Sequence, residues 1–361
     1  MKTTVINLKK DFFNPIPLEI LSTPDFSAEI FIYETGIHAV KLKNSRGHLV
    51  ILPYYGQIIW AATFDNVDLT MQSQFKAPRP AHDIVGTYGC FMYHSGLLHN
   101  GNPSAEDTHA LHGEMPLASI DQAWIEMGED HEGPWFALVS AYEYLMGFGD
   151  HYIAQPRVII RPDSALFDIQ MNVKNLAVDP MNLMYMCHAN FAYMEGGRII
   201  QPTSFSAQDT VIRPSVPAIV KSNDIYLEHL AKMKEDPSAT EYLDSKIGFD
   251  PELVFYLKNL KKASDGNIHV MMRRPSGDAF SVVYDPTEYA YLVRWILANN
   301  KQKVCAFAMP ATCGVEGYTT EKALGNVRTL ESGQTVNFKI RLGYLNEKDA
   351  AIEETLIRDS H

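Results

Sequence analysis

Short stretches in which apolar and polar residues alternate recur along most of this chain. The clearest is residues 167–173, Phe-Asp-Ile-Gln-Met-Asn-Val, where every second residue is apolar. This is the pattern of a β-strand buried on one face. Further β-branched and aromatic runs bounded by turn residues predict strands across the chain. They cover residues 30–32, 40–42, 48–64, 136–144, 152–160, 165–173, 183–193, 253–257, 268–272, 280–284, 291–296, 304–309 and 336–342.

Helical patterns are rare in comparison. Residues 222–234 carry apolar side chains at three- and four-residue spacings, and residues 346–360 are rich in Glu and Ala. Each predicts one short helix. The first 26 residues contain three prolines and are predicted to be irregular. Many short strands with few helices predict one all-β domain spanning residues 1–361.

Residues 72–119 interrupt the strand pattern. Gly, Pro and His are frequent there, and five of the 13 histidines fall in this segment. Its aromatic and apolar residues argue against disorder, and long irregular segments within compact domains are usually functional. We therefore predict ordered loops that border a site. The five histidines are His82, His94, His99, His109 and His112.

The composition and the net charge of the chain exclude several classes of function. Hydrophobic residues make up 46% and charged residues 20%, which allows a substantial core, and the net charge is -12. That charge argues against a nucleic acid or an anionic membrane as the main partner. The four cysteines form no C-x-x-C pair and no disulfide scaffold. Because no signal peptide or transmembrane stretch is recognisable, a cytoplasmic protein is expected.

Residues 184–198 contain the strongest candidate for a site. Within this apolar and aromatic stretch, His188 and Asn190 are two residues apart. Side chains at i and i+2 of a strand project to the same face, so these two are expected to lie together. A buried histidine and asparagine need polar partners or a ligand. A histidine that is simply hydrogen-bonded within the core is the alternative.

Other candidates lie in the loops and near the C-terminus. His109 and His112 form an H-x-x-H pair, which could be half of a metal site or two histidines bonded to backbone carbonyls. Glu316 follows a predicted strand, where a solvated carboxylate is the alternative. Arg294 either points into a cleft and binds substrate or pairs on the surface. Nucleotide-binding glycine motifs and a nucleophile elbow are not found, which leaves histidine and carboxylate chemistry.

Taken in order, these pieces resemble the aldose 1-epimerase (galactose mutarotase-like) superfamily, most of all its little-characterised bacterial branch. The resemblance covers roughly residues 52–345. Residues 52–60, Leu-Pro-Tyr-Tyr-Gly-Gln-Ile-Ile-Trp, are similar to an early strand pair, and residues 111–113 to a Leu-His-Gly loop. Residues 173–175 followed by 185–190 are similar to a Val-x-Asn strand and the catalytic histidine strand.

The resemblance implies a β-supersandwich of antiparallel sheets around an open cleft, with a few short helices. It also implies acid–base chemistry, in which a carboxylate takes the proton of the anomeric hydroxyl and a histidine protonates the ring oxygen. By this carry-over His188 is the general acid, His112 binds the sugar, and Asn190 binds a hydroxyl group. No metal or cofactor is required, because one acid–base pair suffices.

The catalytic carboxylate departs from the pattern of the superfamily. Relatives commonly carry a glutamate directly before the proline that corresponds to Pro310, and here that residue is Met309. A thioether cannot accept this proton. Glu316 is the nearest carboxylate in the sequence, and we predict it as the replacement base.

The leading hypothesis is thus an aldose 1-epimerase that acts on a small-molecule carbohydrate. A sugar-binding protein without catalysis stays open because of Met309, and a metal-dependent sugar isomerase or lyase stays open because of the histidine-rich segment. Arginines could recognise an anionic sugar, since guanidinium pairs well with phosphate, sulfonate and carboxylate. A homodimer also stays open. The arginines in question are Arg157, Arg161, Arg273, Arg274 and Arg294.

Overall fold

Strands dominate residues 3–360, the part of the chain that the computed structural model describes. In chain order they are β1 Thr4–Leu8, β2 Leu18–Ser22, β3 Ser27–Ile32, β4 His38–Lys43, β5 Gly47–Ile51, β6 Ile59–Phe64, β7 Val67–Asp68, β8 Met92–Leu97, β9 Gln122–Asp130, β10 Gly133–Leu145 and β11 His151–Ile160. The second half contributes β12 Leu166–Asn175, β13 Met181–Ala189, β14 Arg198–Ile200, β15 Thr210–Ile212, β16 Leu253–Leu257, β17 Ile268–Arg273, β18 Ala279–Tyr284, β19 Tyr291–Ala298, β20 Lys303–Ala311, β21 Arg328–Leu330 and β22 Thr335–Leu345.

The helices are few and short. The α-helices are α1 Asp224–Glu235, α2 Tyr318–Ala323 and α3 Glu347–Asp359, and the 3-10 helices are Lys10–Phe12, Ile84–Thr87, Met115–Leu117, Ser238–Glu241 and Ser245–Ile247. Within residues 3–360, no helix has both the length and the hydrophobicity needed to cross a membrane.

Two large antiparallel sheets organise the strands. One has nine strands in the order β1-β9-β10-β11-β12-β22-β18-β17-β14. The other has thirteen, with the main order β15-β16-β19-β20-β13-β8-β6-β5-β4-β3-β2, while β21 joins β13 and β7 joins β6. This arrangement confirms the all-β class that alternating apolar residues predicted, and it places β13, the strand of His188, at the centre of the larger sheet.

The main core lies between the two sheets and is rich in aromatic rings. Phe64 of the larger sheet stacks on Phe167 of the smaller one, with ring centroids 5.6 Å apart. Phe191, just after β13, stacks on Phe280 of the smaller sheet at 5.3 Å. All four are essentially inaccessible to solvent. Offset stacking of buried rings adds to their hydrophobic contribution and holds the sheets together.

Both predicted helices are confirmed. The pattern at residues 222–234 forms α1, and the one at 346–360 forms α3. In each, an asparagine side chain, Asn223 or Asn346, accepts a hydrogen bond from a backbone N–H of the first turn. Such capping satisfies donors that the helix itself leaves free.

Two stretches of the N-terminal segment, which the sequence predicts to be irregular, form strands. Thr4–Leu8 pairs with β9 and Leu18–Ser22 pairs with β3, so the segment adds one edge strand to each sheet. Edge strands keep most side chains in solvent, and the alternation that signals a buried face is therefore weak in both. Residues 1, 2 and 361 of the predicted domain lie outside the described residues.

One central strand was not predicted from the sequence pattern. Met92–Leu97 lies within the segment predicted as loops, yet it forms β8 and pairs with β13, with Tyr93 opposite His188. All six residues are buried, and the strand mixes aromatic, polar and glycine residues. A strand buried on both faces has no polar face and hence no alternation. Most of the remaining segment does form loops.

Candidate active site

His188 and Asn190 lie together on one face of the larger sheet, as their spacing predicts. His188 Nδ1 is 2.8 Å from Asn190 Oδ1, and both side chains are buried. The ring of Tyr93, opposite in register on β8, stacks on the His188 ring at 4.5 Å. The residues that alternate with them, Cys187 and Ala189, belong to the core between the sheets. The pleat therefore presents the imidazole to the outer face.

The hydrogen bonds of Asn190 define the tautomer of His188. The Asn190 amide Nδ2 donates to the carbonyl oxygen of Cys90 at 3.1 Å, so Oδ1 is the atom directed at the imidazole. An amide oxygen only accepts, so Nδ1 of His188 carries the proton and Nε2 has a free lone pair. Nε2 lies 3.2 Å from the hydroxyl of Tyr88, which can donate to it.

Burial keeps the His188 ring neutral. It lowers the pKa of His188 to about 3, although the hydrogen bond with Asn190 acts in the opposite direction. At neutral pH the cleft therefore contains an imidazole whose Nε2 accepts a proton. The sequence resemblance predicts a general acid here; the geometry provides a proton acceptor that becomes an acid once it has been protonated.

His112 approaches His188 from the Leu-His-Gly loop. The two imidazole centroids are 4.9 Å apart and nearly perpendicular. His112 has a φ of 65° and Gly113 one of 82°, a left-handed turn that a glycine accommodates. A Cβ on Gly113 would lie 2.1 Å from the carbonyl oxygen of His99, so this loop position requires glycine. The turn holds His112 against the face of β8 and β13.

A second buried amide orients His112. Asn100 Nδ2 donates to the carbonyl oxygen of Gly314 at 3.2 Å, and its Oδ1 accepts from the Ser95 hydroxyl at 2.5 Å. Ser95 Oγ can therefore accept from Nδ1 of His112, 3.0 Å away. Burial also lowers the pKa of His112 well below its ordinary value. Both histidines are thus neutral, held through Nδ1, with Nε2 as the nitrogen available to a ligand.

These histidines line a cleft of about 430 Å³. Tyr88, Trp295 and Met309 also line it. The Trp295 ring packs edge-on against His188 with centroids 5.7 Å apart, which gives the cleft an aromatic wall. Met309 reaches the cleft and supplies only a thioether.

Glu252 is the carboxylate among the described residues that line this cleft, and sequence reasoning missed it. Its Oε2 accepts a hydrogen bond from the Trp295 indole nitrogen at 2.8 Å, and its Oε1 is 3.8 Å from Arg213. Burial raises the pKa of Glu252, while Arg213 and Trp295 lower it by less. Glu252 directly precedes β16 and is two residues from Val254, which lines the same cleft.

Glu316 lies in a neighbouring cavity of about 1060 Å³ between α1 and the sheet edges. Of the described residues, Arg213 lines both cavities and separates the two carboxylates. Glu316 receives hydrogen bonds from Arg213 Nε at 3.1 Å, from the Tyr256 hydroxyl at 2.7 Å and from the Ser215 hydroxyl. The structure does not bring Glu316 into the cleft of His188, and its role as a base stays a prediction.

Arg294 does not join the cleft either. The residues on either side of Arg294, Val293 and Trp295, line the cleft, so alternation along β19 turns Arg294 to the opposite face of the sheet. The guanidinium is fully buried there, donating to the carbonyl oxygen of Phe307 at 3.0 Å and to Gln201 Oε1 at 2.6 Å. The substrate-binding role predicted for Arg294 has no support from this position.

The other arginines proposed for an anionic sugar are paired with carboxylates elsewhere. Arg157 lies 3.0 Å from Glu126, and Arg161, Arg273 and Arg274 form ion pairs with acidic neighbours. Within the cleft the cations are instead Arg213, Lys221 and Lys301. No sequence motif distinguishes these three from other surface cations.

The remaining histidines of residues 72–119 do not converge on His112. His94 is buried on β8, with Nδ1 2.9 Å from the Tyr185 hydroxyl. His99 stacks on His109, with centroids 4.7 Å apart. Among residues 3–360 no group of three or more His, Cys, Asp or Glu side chains is arranged to hold a metal ion.

Solved structures with the same architecture come from several bacteria. A Klebsiella pneumoniae protein proposed to be an aldose 1-epimerase shares 15% identity with a TM-score of 0.78, covering 99% of this chain and 95% of its own. A galactose mutarotase-like protein of Clostridium acetobutylicum shares 14% at a TM-score of 0.60, with 90% and 100% covered. An Escherichia coli protein also proposed to be an aldose 1-epimerase shares 12% at 0.52, with 84% and 97% covered.

At these identities the likeness shows the fold, which is that of the galactose mutarotase-like proteins. None of the curated proteins matches the sequence. One sequence family does, over residues 34–344, and it is described as a domain of unknown function, DUF4432. That span is most of the chain, and it contains both histidines and Glu252. The chain therefore belongs to the DUF4432 family and has the galactose mutarotase-like fold.

Proposed function

We propose that this protein is an aldose 1-epimerase, which interconverts the α and β anomers of a cyclic sugar or sugar derivative. The observation that carries the proposal is the pair of neutral imidazoles, His188 and His112, each held through Nδ1 in one cleft. Such a pair offers two proton-accepting nitrogens to the hydroxyl groups of one small ligand.

The reaction needs two proton transfers and no other chemistry. One group takes the proton of the anomeric hydroxyl as the bond between C1 and the ring oxygen breaks, and a second group protonates that ring oxygen. Rotation about C1–C2 followed by the reverse transfers gives the other anomer. His188 takes part in these transfers through Nε2, a carboxyl group is its partner, and His112 binds the sugar by accepting a hydrogen bond from a hydroxyl group at Nε2.

Three further features support a carbohydrate ligand. The cleft volume of about 430 Å³ falls in the range of small-molecule sites, which is roughly 300–1,000 Å³. Trp295 offers an apolar wall for the face of a sugar ring, and polar groups surround it. In addition, two of the compared structures, from Klebsiella pneumoniae and Escherichia coli, are proposed to be aldose 1-epimerases.

A sugar-binding protein without catalysis is the second candidate. Met309 favours it, because this thioether lines the cleft and the sequence resemblance implies a catalytic glutamate at this position. The two candidates share the ligand class and differ in whether anomer exchange is accelerated.

Exchange NMR on the anomeric protons of neutral and anionic sugars, combined with calorimetry, separates the candidates. The epimerase predicts cross-peaks between the α and β signals of at least one sugar that grow with enzyme concentration. Saturable binding without any gain in exchange rate would favour the binding protein. Neither binding nor exchange across the panel would overturn both candidates.

A further inference from the structure

We infer that Glu252 is the catalytic carboxyl group that exchanges protons with the sugar in partnership with His188. This inference rests on the proposed function. Glu252 thus replaces Glu316 as the carboxyl group of the pair, and the two roles are exchanged: His188 starts as the base and Glu252 starts as the acid.

The first support is location. Glu252 and His188 line the same cleft and contact the same indole: Trp295 donates its N–H to Glu252 and packs its ring against the imidazole. A ligand that contacts His188 Nε2 along this aromatic wall is therefore next to the Glu252 carboxyl. Glu316 has no such position, since Arg213 lies between it and the cleft.

The second support is the number of hydrogen bonds on each carboxylate. Glu316 accepts from Arg213, Tyr256 and Ser215, a set of donors typical of a structural carboxylate. Glu252 has one short hydrogen bond, from Trp295, and its Oε1 is 3.8 Å from Arg213, beyond hydrogen-bond distance. Its Oε1 can therefore transfer a proton without breaking a tight contact.

The third support is the electrostatic setting. Burial disfavours charge on both partners, which favours a neutral imidazole and a protonated carboxyl over an imidazolium and a carboxylate, while Arg213 acts on Glu252 in the opposite direction. This matches the raised pKa of Glu252 and the lowered pKa of His188. Two titratable groups whose surroundings move their pKa values apart form an acid–base pair. The charged and titratable side chains that interact with Glu252 are Arg213, Tyr88 and Tyr226. Those that line the same cleft are His112, His188, Lys221 and Lys301.

The proton balance then closes within the pair. His188 Nε2 takes the proton of the anomeric hydroxyl, the electrons of that O–H bond form the C1 carbonyl, and the C1–O5 bond breaks. The electron pair of the C1–O5 bond remains on O5, the ring oxygen, which receives the proton of the Glu252 carboxyl. Closure on the other face of C1 runs the same transfers backwards and restores both groups.

The test compares wild type with Glu252→Gln, Glu252→Asp, Glu316→Gln and Glu354→Gln, using anomer exchange rates at varied sugar concentration. Glu354 on α3 is the matched control, because it is a mostly buried glutamate paired with Arg273 of β17. We expect Glu252→Gln to lower kcat by about 100-fold or more with a small change in KM. Glu252→Asp retains part of the rate, Glu316→Gln loses less than Glu252→Gln, and Glu354→Gln matches wild type.

Calorimetry and thermal unfolding show whether Glu252→Gln is folded and binds sugar. A raised KM with unchanged kcat would overturn the inference, because Glu252 would then only bind the sugar. Loss of rate in Glu316→Gln alone would also overturn it.

After subtraction of the spontaneous rate, wild-type kcat/KM should fall as pH rises above the pKa of Glu252; a flat profile would contradict the neutral pair. A wild type that accelerates no sugar overturns the proposed function and this inference together.

Discussion

The Nδ1 atom of His188 lies 2.8 Å from Oδ1 of Asn190, two residues further along the chain. The pleat of β13 brings the two side chains to one face, and the carbonyl of Cys90 fixes the amide so that its oxygen points at the ring. The relationship decides which imidazole nitrogen faces the cleft. Asn190, which the sequence suggested as a hydroxyl-binding residue, acts here as the residue that orients His188.

Asn190→Ala should slow anomer exchange by roughly tenfold or more, because a well-oriented acid–base group contributes about 10²–10⁴-fold. It should also cost about 1–3 kcal/mol of stability through lost buried hydrogen bonds. Exchange NMR and urea unfolding measure the two effects. Asn175→Ala is the matched control, since Asn175 is equally buried and bonded to the carbonyls of Asp179 and Leu330. It should lose stability and keep its rate; an equal loss of rate in both variants would contradict this role of Asn190.

The protonation state of His188 can be observed directly. Because burial lowers its pKa to about 3, the ring should stay neutral and protonated at Nδ1 from about pH 5 to pH 8. Nitrogen chemical shifts of ¹⁵N-labelled histidine side chains measure this, with the His188→Gln spectrum for assignment. A ring that is charged at neutral pH, or protonated at Nε2, would contradict the tautomer derived from Asn190.

Stability should depend on pH through His269, which joins β17 to α3. Nδ1 of His269 is 2.8 Å from Glu353 and Nε2 is 3.0 Å from Asp265. Burial alone would lower the pKa of His269, yet these two carboxylates raise it above 6.5. The folded state thus binds the proton more tightly than the unfolded state, and this stabilisation is complete below about pH 6.5 and lost as pH rises through the folded pKa.

Urea unfolding of wild type and His269→Gln between about pH 6 and pH 9 tests the direction in which stability changes with pH. The difference in the free energy of unfolding should be largest at about pH 6 and should shrink toward pH 9. Glu353→Gln should reduce the same pH dependence, because it removes one of the two carboxylates. A difference that grows with pH would mean that His269 is neutral in the folded protein.

Much of the fold could be predicted because several strands have one polar and one apolar face. Residues 167–173 and the spacing of His188 and Asn190 carry this signal in full. It is absent from β8, which is buried on both faces, and from the edge strands β1 and β2. Packing against neighbouring strands, rather than local pattern, places these three in the sheets.

The site could be predicted only in part. The strand and loop of His188 and His112 have recognisable sequence, and the structure brings the two rings together. Glu252 follows a proline in a turn before β16, in a sequence without a motif, and only the pairing of β16 with β19 brings it to Trp295. From the sequence we predicted that Arg294 lines the cleft, whereas in the structure its neighbour Trp295 lines it.

The measurement that tests the account most directly is the enzyme-dependent rate of anomer exchange for wild type and His188→Ala, on a sugar that calorimetry shows both proteins bind. We predict that wild type accelerates exchange and that His188→Ala loses this acceleration by about 100-fold or more while it still binds the sugar. Equal acceleration by the two proteins would contradict the central claim, because proton transfer would then not pass through His188.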